Sequence, residues 1–283
     1  MQIEEMMSRF SLPFALLALS AATAVHAQNS APAPDTEYSF ADLADLALGA
    51  PIVAHAEIDR ANRLDPERAP GVAPGHLRYY VEAELSSLIR SDNALPREVR
   101  YLVDVPLDPN GDRPRLRGEE VLIMATPVRG RPGEIQLVAP SSQIRWTPER
   151  EQIIRRLLTE AAAPGAPGIV TGVGNAFSVP GALPGESETQ IFLSTSDGRP
   201  VSISVLRRPN QRPRWSVSLS EIVESASPPP QRDTLLWYRL ACFLPAELPR
   251  TTFESMDPNQ ISVARQDYQM VIGDLGQCTR YRS

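Results

Sequence analysis

His55 stands between Ala54 and Ala56 in a run of strand character, and Glu57, two residues on, shares its face. An imidazole beside a carboxylate can work as an acid–base pair or supply half of a metal site. No third ligand lies at a suitable spacing, so a structural histidine is the favoured reading and a hydrolase built on carboxylates and His55 the alternative. The chain has 3 histidines. His26 falls in an expected leader, and His76 follows a Pro/Gly-rich stretch where water is its expected surrounding.

A second constellation is RRPNQRPRW, residues 207–215, where Arg207, Arg208, Arg212 and Arg214 accompany Trp215 around an expected hairpin tip. Guanidinium groups beside an indole can hold a phosphate, a sulfated sugar or a nucleic-acid strand. Charge that keeps a strand end soluble is the competing explanation, and it serves equally for RPRLRG at 113–118. Carboxylates pair at Glu82/Glu84 and Glu119/Glu120; the first two alternate with Val81 and Ala83 as an exposed strand face does, without chemistry being needed.

The segment GVGNAFSVPGALPGE, residues 172–186, carries a GxGxxF spacing at Gly172, Gly174 and Phe177. A phosphate cradle needs such a turn to open directly into a helix, whose free amides hold the anion. Here it leads into the strand-like ETQIFL, so a connecting bend is expected. Ser178 lies outside a G-x-S-x-G elbow. DPNGDRP at 108–114 starts like a calcium loop but lacks the terminal glutamate. The chain contains no lysine, which excludes Schiff bases, a Walker-type phosphate lysine and a Ser–Lys dyad. No metal or other cofactor is expected.

These side chains need elements to position them. SFADLADLALG predicts a helix capped by Ser39, with Asp42 three residues on and Phe40, Leu43, Leu46 and Ala47 along one face. Strand-like segments follow at 52–64, 76–89, 97–105, 119–128 and 134–139. WTPEREQIIRRLLTEAAA predicts a helix capped by Thr147, with Pro148 in its first turn and an apolar stripe through Ile153, Ile154, Leu157, Leu158 and Ala161. Further on, Asp197-Gly198 signals a hairpin and a second one is expected around Pro209-Asn210-Gln211. The period then becomes helical over 232–244 and 259–276, the latter ending at Gly276.

The ends and the composition bound the setting. Met7–Ala27, MSRFSLPFALLALSAATAVHA, has Arg9 ahead of an apolar run from Leu12 to Leu19 and small residues before Gln28, the pattern of a cleavable export signal. Glu4 and Glu5 sit poorly in such a signal, so translation is expected to begin at Met6 or Met7. The run is well short of the roughly 20 residues that span a bilayer, so no stable membrane insertion is expected after cleavage. The periplasm or the medium is the expected destination, and there Cys242 and Cys278, the 2 cysteines, should form one bridge. A net charge of -6 and a pI near 5.3 argue against a general affinity for nucleic acid. Proline-rich stretches divide the chain. They suggest a signal peptide at 1–27, a disordered linker at 28–37, a domain at 38–163, a linker at 164–168 and a second domain at 169–283.

The order ADLALGAPIVAHAEI, LRYYVEAELSSLI and LRGEEVLIMATP, spread over residues 39–146, resembles OB-fold modules of the netrin and tissue-inhibitor-of-metalloproteinase type. Gly118, Glu119 and the apolar run after them carry the likeness. It implies a small five-stranded barrel. Those inhibitors reach a catalytic zinc with an N-terminal cysteine, and a chain cut before Gln28 begins with glutamine, so protease inhibition is not implied and no functional residue is transferred. In general build the chain also resembles exported bacterial proteins, a likeness that implies no activity. The resulting expectation is an α+β, mostly β protein: an OB-like barrel, then a β-meander with a disulfide-stapled helical C-terminus. It is expected to be a non-catalytic module that binds a protein or small ligand in the envelope. A carboxylate/His-dependent hydrolase and a polyanion binder acting through the 207–215 hairpin are the alternatives.

Overall fold

Local chemistry accounts for the helix starts. Ser39 Oγ accepts from the Asp42 amide at 3.1 Å while Asp42 Oδ2 accepts from the Ser39 amide at 2.8 Å, so the expected capping box opens helix α1, Phe40–Gly49. Thr147 caps helix α2, Pro148–Ala162, with proline at its first position. The computed structural model describes residues 37–108, 110–220, 226–253 and 257–282; the expected signal peptide and residues 28–36 of the expected linker lie outside them. Among the described residues no helix is long and apolar enough to cross a membrane.

Between these helices the chain forms an antiparallel sheet from β1 (Ile52–Arg63), β2 (His76–Arg90), β3 (Glu98–Pro106), β4 (Glu120–Pro127) and β5 (Ile135–Leu137). Their order is β3-β2-β1-β4-β5, and the short β6 (Gln143–Arg145) also pairs with β4. Strand alternation decides the two faces. Ala56, Ile58, Val81, Val121 and Ile123 fill one side. Val53, Leu122 and Met124, of the other parity, pack against Leu43 and Ala47 of α1 and Ile154 of α2. Because β4 is covered on both faces, its sequence VLIMA is apolar without interruption.

The barrel implied by the likeness to netrin-type OB-fold modules does not form. The outer strands β3 and β5 meet at an isolated bridge between Arg100 and Glu134, where the Arg100 amide donates to Gly133 O at 2.8 Å, and the pairing goes no further. Closure needs outer strands that run alongside each other with a fixed stagger. β5 is only 3 residues long, half of the expected EIQLVA segment, and so cannot supply that ladder. The fold is therefore a mixed α+β arrangement with two open sheets, and it is not the OB-like barrel that the likeness to netrin-type modules implies.

The second sheet is an antiparallel meander of β7 (Val170–Pro180), β8 (Ser187–Thr195), β9 (Val201–Arg207) and β10 (Arg214–Ser218). Helices α3 (Leu235–Ala241) and α4 (Pro258–Leu275) cover one face with Leu235, Trp237, Tyr268 and Val271. The stretch expected to be a connecting bend is mostly strand. Residues 170–180 pair with β8, with register shifts beside Gly172 and Gly174, and the turn is confined to 181–186. Glycine permits such irregularities, and at Gly174 an added Cβ would come within 3.2 Å of Ser194 Oγ. Ala41 and Ala44 of α1 and Leu157 of α2 belong to this second core, so the two helices are shared by both sheets.

Cys242, at the end of α3, is bonded to Cys278 just beyond α4, as the cysteine pair predicts. The chain then returns to α1. The amides of Tyr281 and Arg282 donate to Asp42 Oδ2 and Oδ1 at 3.0 and 3.1 Å, and Arg280 pairs with Asp45 at 2.6 Å. Asp42 thus closes its own helix cap and receives the far end of the chain. Burial pushes its carboxyl up, but the hydrogen bonds from Tyr281, Ser39 and Arg282 together outweigh burial and hold it below the usual aspartate value.

Two measurements check this account. Exchanging both cysteines for serine releases a cross-link across a separation of 36; chain entropy predicts a loss of about 4 kcal/mol, read from denaturant midpoints. Asp42→Asn is expected to cost about 2 kcal/mol at neutral pH, since it removes a charged acceptor and half of a cap. A depressed folded-state pKa contributes stability that is complete above the unfolded value of about 3.9 and is lost as pH falls through the lower folded value. The gap between wild type and Asp42→Asn should therefore narrow below about pH 4.

Candidate functional site

His55 projects from the helix-facing side of β1, on the rungs of Leu122 in β4 and Ser87 in β2. It is 8% exposed. Its ring stacks on Trp146 with centroids 4.6 Å apart and planes 4° from parallel. Nδ1 lies 3.7 Å from Glu151 Oε2 and Nε2 lies 3.2 Å from Glu120 Oε1. The second approach is within ion-pair reach but too poorly aligned for a hydrogen bond, which leaves the buried Nε2 unsatisfied. Glu151 organises the group. Its Oε2 accepts from Trp146 Nε1 at 2.5 Å and its Oε1 from Arg155 Nε at 2.7 Å, while Arg155 Nη2 also donates to Ser87 Oγ at 3.0 Å. Burial raises the Glu151 carboxyl, yet the bonds from Trp146 and Arg155, with the charges of Arg155 and His55, bring it below its ordinary value.

Glu57, the partner expected from strand alternation, is exposed and faces Glu84 and Glu120 across the ladder. The carboxylate on the far side of the imidazole comes instead from α2, which no local spacing brings beside His55. Among the described residues no group of three or more His, Cys, Asp or Glu side chains could hold a metal ion. With an indole over one ring face, carboxylates at its edges and the neighbouring hydroxyl of Ser87 engaged by Arg155, the imidazole lies packed between sheet and helix with its Nε2 unbonded.

The arginine hairpin divides by parity. Arg207 continues the inward face of Ile203 and Val205; its Nε donates to Asp267 Oδ1 at 2.5 Å, and Thr189 Oγ1 donates to Oδ2 at 2.5 Å. Asp267 is 0% exposed. Trp215 is buried as well, donating Nε1 to Asp274 Oδ2 of α4 at 3.0 Å. Arg208, Arg212 and Arg214 are left together on the outside, around a recess of about 110 Å³.

A larger recess, about 770 Å³, lies at the open seam of the first sheet and was not legible from residue spacing. Arg100–Asp104 of β3 form one wall and residues 134–140 the other, with Arg68, Arg78 and Tyr80 beside them. Arg78 holds Asp104 with both Nε and Nη2, at 2.6 and 2.7 Å. Arg100 pairs with Glu98 and Arg131 with Glu134, each at 3.1 Å in exposed contacts. Among the described residues Arg68 has no carboxylate partner. The alternation of Arg78 and Tyr80, and of Arg100 and Leu102, with buried residues marks an exposed strand face in the sequence. That β5 stops short and leaves a groove beside it does not show there.

No protein-family model matches the chain and no curated protein matches it, so the roles of these residues rest on their geometry. That geometry separates the arginines experimentally. Arg207→Ala leaves the buried Asp267 charge unpaired and is expected to cost about 3–5 kcal/mol. The combined alanine variant of Arg208, Arg212 and Arg214 should keep wild-type stability within about 1 kcal/mol, because exposed side chains contribute little individually. Thermal denaturation reads both, and the triple variant is the one whose heparin-column retention tests polyanion binding.

Proposed function

We propose that this is an exported protein that works as a non-catalytic binding module, with the seam groove of its first sheet as the recognition site. The observation that carries the reading is the groove itself. It joins an apolar floor, an unclosed sheet and several guanidinium and phenol groups in one concavity, which is the composition of a binding site. The apolar run ahead of Gln28 and the Cys242–Cys278 bridge support export, since disulfides persist in oxidising compartments. The His55 group supports catalysis less well. A general base has to lie within hydrogen-bond reach of the proton it takes, and this imidazole is stacked under Trp146.

Intact-mass analysis of exported material should give a chain starting at Gln28 and lacking two hydrogens for the bridge. The mature protein should turn over none of a panel of ester, phosphate, glycoside and peptide substrates; turnover that His55→Ala abolishes would overturn the non-catalytic reading. In a thermal-shift panel of peptides, oligosaccharides, nucleotides and amphiphiles, at least one class should stabilise the wild type and fail to stabilise Val138→Trp, which sets an indole on the lining of the groove. A ligand bound equally well by that variant would place recognition elsewhere.

A further inference from the structure

The seam is walled by backbone as well as by side chains. In an antiparallel ladder, residues directly opposite one another either exchange both hydrogen bonds or both turn away. Arg78 O accepts from the Leu64 amide, on the side of β2 remote from β3, so the Arg78–Asp104 rung is of the second kind and the Asp104 backbone faces the seam. Leu102 and Arg100 share that parity, and the Arg100 amide does reach across to Gly133 O. On the other wall the Val138 amide bonds back to Met124 O and the Val128 amide to Glu134 O, which turns the Ile135 and Leu137 backbone toward the same seam. The walls are joined at the Arg100–Glu134 bridge and not beyond it.

We propose that an extended acidic segment of a partner protein lies in this seam and adds to β3 as a further strand. This rests on the reading of the groove as the recognition site and names what fills it. Beyond the Arg100–Glu134 bridge the open wall runs from Leu102 to Asp104, about 10 Å, room for roughly three residues of extended chain. Strand addition of this kind takes its affinity from main-chain hydrogen bonds and its selectivity from alternate side chains. Sheet edges are commonly blunted by proline, charge or cover. β3 carries charge at Glu98, Arg100 and Asp104, but its middle presents Leu102, 47% exposed, and its proline, Pro106, comes only at the end.

The preference for acidic side chains follows from the lining. Arg68, Arg78, Arg100 and Arg131 stand against Asp104 and Glu134. The bidentate Arg78–Asp104 pair is committed, but the exposed pairs of Arg100 and Arg131 are weak enough to exchange for an incoming carboxylate. Arg68 has no carboxylate to give up, and a basic segment would meet like charge. Residues 28–36, NSAPAPDT preceded by Gln28, are poor candidates for the same place because Pro32 and Pro34 cannot donate to a ladder.

The test is to pan a phage-displayed library of random octapeptides on the intact mature protein and to synthesise the selected sequences. They should be proline-free in their centre, carry Asp or Glu between β-branched or aromatic residues, and bind at least tenfold more weakly to Arg68→Glu/Arg131→Glu. N-methylation of the amides on one edge of the peptide should abolish binding, while N-methylation on the other edge should weaken it less. Leu102→Pro should also abolish binding; since that change can disturb the sheet, the charge-reversal variant and the methylation scan stand independently of it. Selection of nothing, of basic peptides, or of peptides indifferent to backbone methylation would overturn the proposal. So would self-association through β3, seen by sedimentation. If instead a sugar, nucleotide or amphiphile shows groove-dependent binding that Val138→Trp removes, the peptide proposal fails while the groove stands as the recognition site.

Discussion

Two open sheets each leave an apolar face that must be covered, and α1 and α2 cover part of both. Leu43 and Ala47 face the first sheet while Ala41 and Ala44 face the second core, and α2 divides likewise between Ile154 and Leu157. An amphipathic helix with one apolar stripe can cover one surface; a helix used on two sides needs apolar residues around more of its circumference. The alanines of α1 meet that need with small side chains. The arrangement makes the placement of α1 a shared requirement, and Asp42, receiving both the helix cap and the chain's C-terminal amides, sits where that requirement is met.

The other polar contacts in the interior repeat the same logic with different partners. Asp267 ties α4 to Thr189 of β8 and Arg207 of β9, and Glu151 ties α2 to Trp146 and to Arg155, which reaches Ser87 of β2. Apolar packing is non-directional, so a helix resting on a sheet can slide at little cost in buried area. A hydrogen-bonded carboxylate cannot slide, because leaving it unpaired in the interior is costly. These hydrogen-bonded carboxylates fix how each helix sits on its sheet.

The seam between β3 and β5 is the counterpart of that interior order. The open first sheet keeps a filled interior, with Val81, Ala83, Val99 and Ile123 fully buried, yet its outer strands β3 and β5 meet only at one isolated bridge. Such edges favour pairing with another chain. Under the proposed strand addition, the exposed arginines on either side would act on which chain pairs there, since charge acts on selectivity more than on affinity.

Sequence by itself determined the local features: the capping box at Ser39 and Asp42, the Thr147-Pro148 helix start, the Asp197-Gly198 hairpin and the pairing of Cys242 with Cys278. Each depends on a few residues close in the chain, or, for the cysteines, on there being a lone pair to join. Tertiary structure decided what long-range placement controls. Residues 172–180, rich in glycine, became strand because β8 offered a ladder that absorbs the irregularities. The first sheet stayed open because β5 ended after Leu137, a matter of where β4 and β6 claim the chain. His55 lies beside Glu120 of a neighbouring strand and Glu151 of α2 rather than Glu57, and Arg207 met Asp267 of α4 rather than solvent, because elements distant in sequence arrived beside each. Spacing along a strand reports which face a side chain occupies; only the folded chain determines what that face meets.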